Sequence, residues 1–362
     1  MGVYFALIAI PIMEALFIKY LDEIYPNHKF QKNKIILGSF FVILITILCL
    51  RDVSCGIDLE NYKIFWNSAL NMSFKSGINQ YEIETGYHAI EYFISRFTDD
   101  FQIFLSIVAI LSIAPLWYFY KKESEMPILT ILLFVTIAPF TMFFSGLRQA
   151  IAIAIAVPAF YLAKNKKMFC FIAIVILATL IHTSAVLLFV IYPLYHAKIT
   201  KKWLLFVIPI IVVIFIFNEQ IFSFMLRFLK DEYAERYSEL ESTGAYSVLI
   251  LLILFGIYSF LIPDNEKLDG ETIAMRNFLL FSICIQCFAP IHTLAMRMNY
   301  YFLIFIPILI PRIIKYRKQS LREVTQLSQV VFTLFFAVYF FYEAYTGADV
   351  LSIYPYIPFW KG

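Results

Sequence analysis

Nine side chains of the 362-residue chain combine a reactive type with a place beside an apolar run: Arg51, Asp52, Asp58, Glu82, Glu84, Arg148, His182, His292 and Arg297. Arginine presents a planar fork of N–H donors that stays charged and matches phosphate oxygens. A histidine or carboxylate beside it takes a proton from an attacking hydroxyl, while the arginines stabilise a diphosphate leaving group. Such a set suits an anionic head group whose lipid tail stays in a bilayer. Arg148, with its neighbour Gln149, and Arg297 are the candidates for holding the diphosphate, and His182 and Asp58 for the proton. Each has an inert use as well. Arginines near helix ends snorkel to head groups, Asp58 is placed to cap a helix that enters at Leu59, Glu82 and Glu84 read equally as solvated acids, and His182 and His292 as hydrogen-bonded turn residues.

Signatures of soluble enzymes are absent: there is no phosphate-binding glycine loop, no His-Glu-x-x-His, no nucleophile elbow and no paired aspartates of a nucleotide-sugar metal site. Cys284-x-x-Cys287 lacks a second pair or a histidine at zinc spacing, so the five cysteines read as packing residues. The expected chemistry therefore needs no metal and no cofactor, and nothing points to nucleic acid.

The elements that must position these residues are membrane spans. Hydrophobic residues make up 61% of the chain and charged ones 15%, and the mean hydropathy is +0.78, whereas soluble domains are about half apolar and a quarter charged. Apolar runs of roughly 14 to 20 residues recur from end to end, and in hydrocarbon such runs are satisfied as helices. Loops at 19–34, 121–126, 164–167, 198–202, 263–276 and 311–323 hold 19 of the 29 Lys/Arg, which puts them in the cytoplasm. The sequence thus predicts an all-α polytopic membrane protein, one transmembrane domain over 1–362, with both termini outside. Its twelve spans lie near 3–18, 34–50, 101–120, 127–144, 150–163, 168–181, 184–197, 203–218, 246–262, 276–290, 298–311 and 326–343. The first, with no basic residues before it and no cleavage site after it, reads as a retained span.

Lysine clusters at 164–167 and 198–202 must share a side, so the residues between them are read as a hairpin turning at His182-Thr183-Ser184. Its arms fall short of the roughly 20 residues of a full span, so the turn should sit recessed in a cavity; a single long helix there would give eleven spans instead. Similar turns fall at Ser145–Gln149 and Pro290–Thr293. Two outer segments, 51–100 and 219–245, are long enough to fold. In the first, Tyr62, Phe65, Trp66, Ala69 and Leu70, then Ile90, Phe93, Ile94 and Phe97, follow helical spacing and predict two amphipathic helices in the interface. The second is predicted to cap the outer cavity.

These residues fall in motifs that carry a resemblance: Arg51-Asp52-x-x-x-Gly56-x-Asp58-x-x-x-Tyr62-x-x-Phe65, Glu84-x-Gly86-Tyr87, Leu147-Arg148-Gln149-Ala150-Ile151-Ala152, Ile181-His182-x-Ser184-Ala185, Arg297-x-x-x-Tyr301-Phe302 and Tyr354-Pro355-Tyr356. In that order and spacing the chain resembles the EpsG-type, Wzy-like polysaccharide polymerases of bacteria. The resemblance implies an inner-membrane glycosyltransferase that joins undecaprenyl-diphosphate-linked oligosaccharide units into O-antigen, capsule or exopolysaccharide outside the cytoplasm. A flippase and a chain-length regulator are the implied partners, and Tyr62 and Tyr301 join the candidate site. Two other readings stay open: an O-antigen ligase using the same arginine and histidine logic, and a transporter or flippase, against which stand the lack of an internal repeat and the gathering of polar residues on one face.

Overall fold

The computed structural model describes residues 2–25, 31–81, 83–137, 139–226, 246–261, 268–318, 322–346 and 351–362. Glu82 and most of the predicted cap over 219–245 lie outside the described residues. The described chain is helical, with a single isolated bridge between Arg51 and Pro358. In order the helices are α1 (Gly2–Ile24), α2 (Lys32–Leu50), α3 (Leu59–Asn71), α4 (Phe74–Tyr81), α5 (Thr85–Ile94), α6 (Phe101–Glu123), α7 (Pro127–Thr136), α8 (Met142–Ser145), α9 (Leu147–Lys164) and α10 (Met168–Ile181). A 3-10 stretch (Thr183–Val190) then leads to α11 (Ile191–His196), α12 (Leu204–Ile216), α13 (Asn218–Leu226), α14 (Tyr246–Phe260), α15 (Gly270–Gln286), α16 (Thr293–Leu303), α17 (Ile306–Lys318) and α18 (Arg322–Thr346).

All twelve apolar segments fall on these helices, so the chain is an all-α polytopic membrane protein. Four helices, α1, α2, α6 and α9, are long and apolar enough to cross a bilayer, and up to six spans result if the bent pairs at 201–224 (79°) and 293–316 (52°) each count as one. The other apolar helices are shorter than a full span.

The turn at His182 decides between a hairpin and one long helix over 168–197. His182 is extended (φ −152°, ψ 118°) and ends α10. Phe171, near the start of α10, packs its ring 5.2 Å from that of Tyr192, whereas one continuous helix would separate these residues by about 31 Å. The chain therefore doubles back, and the single-helix alternative does not hold. The 14 residues of α10 rise about 21 Å, less than the roughly 30 Å of a hydrocarbon layer.

In 51–100 there are three helices, not two, and most of their apolar positions face protein. Leu59, Tyr62, Trp66, Tyr87 and Ile94 form one core with Phe104, Leu105, Leu147, Ile151 and Ile181 from α6, α9 and α10. The segment thus sits on the ends of the bundle helices. The terminal residues run back over the same end of α2: the Asp52 N–H donates to the Ile357 carbonyl (2.8 Å) and the Phe359 N–H to the Leu50 carbonyl (2.9 Å). α15 begins six residues before the predicted span because Asp269 caps it, accepting from the Thr272 N–H at 2.7 Å.

Candidate functional site

α9 starts abruptly after Gly146, and Arg148, in its first turn, projects from the end of a tightly packed helix whose Ala152 and Ala156 are fully buried. Its Nε donates to the Tyr62 hydroxyl (3.4 Å), and its guanidinium carbon lies 5.7 Å from the Tyr62 ring centroid and 5.9 Å from that of Phe65. One terminal nitrogen pairs with a Glu84 carboxylate oxygen. Among the described residues the other terminal nitrogen has no partner.

Glu84 occupies the cap position of α5, yet its carboxylate does not cap that helix. It reaches instead across to Arg148 and to the α10 tip, where its second oxygen accepts from His182 Nδ1 at 3.0 Å. Gly86 makes this reach possible. A Cβ there would stand 2.8 Å from the Leu180 carbonyl, so only glycine lets α5 lie flat on the backbone of α10. Burial pushes the Glu84 carboxyl up, but the His182 hydrogen bond and the Arg148 charge outweigh it and bring the group down to about 2. Glu84 is ionised at neutral pH, and a carboxylate only accepts, so Nδ1 is the nitrogen of His182 that bears the proton in this contact and Nε2 is turned away from Glu84. Arg148, Glu84 and His182 are 27%, 17% and 24% exposed.

Asp58 does not cap α3, as its sequence position allowed. Its backbone N–H donates to Ser145 Oγ (3.1 Å), and Ser145 Oγ donates back to Asp58 Oδ2 (3.0 Å), which clasps the head of α3 to the turn before Arg148. Gln149 donates to the Arg297 carbonyl at 2.7 Å, and Tyr301 bonds the Ser184 hydroxyl at 3.0 Å, so α16 is tied both to α9 and to the histidine hairpin. The Arg297 side chain is exposed, with no carboxylate in ion-pair range among the described residues.

Three candidates serve other contacts. Arg51 is buried and donates to the Leu48 carbonyl (2.6 Å), closing α2. Asp52 accepts from the N–H and hydroxyl of Ser54 (2.9 and 2.7 Å). His292 accepts the Leu294 N–H at 3.0 Å and stacks on Phe222 with centroids 5.0 Å apart. Among the described residues no three His, Cys, Asp or Glu side chains gather as a metal site. The sequence reading missed Ser145, whose place before a hairpin glycine was its one signal, and the linking role of Glu84.

The model of a known family, the EpsG family, matches the chain over residues 34–357. The chain belongs to the EpsG family. The match runs from the start of α2 to the terminal strap and includes every element that contributes to the Arg148–Glu84–His182 cluster. EpsG membership places the chain among membrane proteins of polysaccharide biosynthesis with a polymerase-like role. No curated protein and no solved structure matches it.

Proposed function

We propose that this EpsG protein joins polyprenyl-diphosphate-linked oligosaccharide units on the outer face of the bacterial cytoplasmic membrane. One observation carries the reading: a single carboxylate, Glu84, holds an arginine, Arg148, and a histidine, His182, side by side where the α10 hairpin turns. In the reaction the acceptor hydroxyl attacks the anomeric carbon of the donor chain. His182 Nε2 takes the hydroxyl proton as the new glycosidic bond forms, and the bond from the anomeric carbon to the diphosphate oxygen breaks. The leaving diphosphate, still attached to its polyprenyl chain, keeps the electron pair and is held by the free terminal nitrogen of Arg148 and by Arg297. Asp58, clasped to Ser145, fixes the turn from which Arg148 projects. No step calls for a metal or a cofactor.

A deletion strain complemented with His182→Ala or Arg148→Ala tests this, with membrane abundance checked by immunoblot. The expected product is a single capped unit and no ladder. Long chains at normal abundance from both variants overturn the reading, and accumulation of full-length lipid-linked polymer assigns the site to a ligase instead.

A further inference from the structure

α5 buries charge beside the apolar Tyr87 and Ile94 that it gives to the core, and turns aromatic rings outward. A helix on a water-facing surface buries apolar side chains and turns charge outward. α5 instead buries His88 and Glu91 completely, paired at 3.4 Å. It turns Phe93 outward, 66% exposed, and Phe97 follows one turn later at 76%. Their rings stack edge to face with centroids 5.1 Å apart. Charge facing protein and aromatic rings facing out is the arrangement of a segment surrounded by lipid.

The position of the pair agrees. Phe97 lies four residues before Phe101, the first residue of α6, so it stays within about 14 Å of that helix end. The 23 residues of α6 rise about 34 Å, enough to cross the roughly 30 Å hydrocarbon layer. Its first turn therefore reaches the hydrocarbon boundary, and its exposed Ile103, Ile110 and Leu111 form a lipid-facing row. The linker is fixed: Trp66 Nε1 donates to the Asp99 carbonyl (3.2 Å) and Asp100 caps α6 at the Gln102 N–H (2.7 Å). Arg96 lies beside the pair, its guanidinium 4.5 Å from the Tyr92 ring centroid, a cation at head-group level.

We infer that Phe93 and Phe97 insert into the adjacent leaflet and seat the 51–100 segment in it, with phospholipid acyl chains as the occupant of this face. The seating holds α5, and with it Glu84, against His182 at the α10 tip. The test is independent of activity. A benzophenone analogue of phenylalanine replaces Phe97 in the full chain, reconstituted in vesicles of phosphatidylethanolamine and phosphatidylglycerol, and parallel probes replace Ile110 and the exposed Asn67 of α3. After irradiation the expected result at 97 is a chain heavier by one phospholipid, in the yield seen at Ile110 and above that at Asn67. An adduct no more abundant at 97 than at Asn67, or a crosslink from 97 to a second copy of the chain, overturns the inference.

Discussion

Replacing Glu84 by Gln keeps the shape of the side chain and removes its charge, so it isolates the ionic part of the cluster. The carboxylate is 17% exposed between Arg148 and His182, and despite the upward push of burial these partners draw it from 4.5 to about 2. At about 1.4 kcal/mol per unit, a depression of that size stabilises the folded chain by on the order of 3 kcal/mol. The folded value lies below the unfolded one. The stabilisation is therefore complete above about pH 4.5 and disappears as the pH falls toward 2. Glu84→Gln, with no proton to bind, lacks that slope. Detergent-purified wild type and variant, unfolded by heat and followed by helical circular dichroism, should differ by several degrees at neutral pH and converge on acidification. Equal melting at neutral pH, with parallel profiles through the acid range, refutes the ionic bridge. It also removes the argument that Glu84 orders His182.

Two substitutions probe other parts of the scaffold. Gly86→Ala forces a methyl against the Leu180 backbone at 2.8 Å; overpacking of this kind costs about 1–3 kcal/mol. Because the methyl lifts α5 off α10 and opens the Glu84–His182 bond, glycan chains should shorten or vanish while membrane abundance holds. At the opposite end of the bundle Arg312, 11% exposed, bridges Glu123 and Glu271, which are 7% and 19% exposed. Arg312→Ala removes the charge shared by two near-buried carboxylates and leaves Glu271 to Lys164 and Glu123 to the Tyr161 hydroxyl and Lys122, a loss of up to about 3 kcal/mol. Abundance and melting temperature should drop, chain length per molecule of protein should not, and adding Glu123→Gln with Glu271→Gln should restore part of the stability.

The bundle was legible because length, apolarity and lysine placement are local properties. Two lysine clusters forced the turn at His182, and the extended backbone there and the Phe171–Tyr192 contact bear it out. The faces of the 51–100 helices were not legible in the same way. Helical spacing at Tyr62, Trp66, Ile94 and Phe97 shows an apolar stripe, but it does not distinguish a stripe packed on protein from one packed on lipid. Only in the folded chain do Tyr62 and Trp66 turn inward and Phe97 outward. The role of Glu84 was hidden for a related reason. Its partners Arg148 and His182 lie 64 and 98 positions away in sequence, and a loop carboxylate with distant partners reads like any solvated acid. The side chains of Arg51 and Asp52 bond close by in sequence, to the Leu48 carbonyl and to Ser54, so their contacts do not join them to the Glu84 cluster.

The proposed diphosphate site follows from where the helices break. Irregular backbone at membrane depth is tolerated only inside protein or along a water-filled cavity. The breaks at Gly146 and His182 bring the ends of α9 and α10 together at Glu84, which precedes α5. Arg148 comes to this junction with two of its nitrogens already engaged, Nε on Tyr62 and one terminal nitrogen on Glu84. It thus offers a ligand its free terminal nitrogen, with the Nε edge of the fork already taken. A diphosphate carries two anionic centres, and one terminal nitrogen of Arg148 does not reach both. The Gln149 bond to the Arg297 carbonyl fixes α16 against α9 at 2.7 Å and so sets the spacing at which Arg297 can take the second centre. On this reasoning the two arginines act as a pair of point donors on separate helices, a geometry that suits a phosphoanhydride better than a lone phosphate.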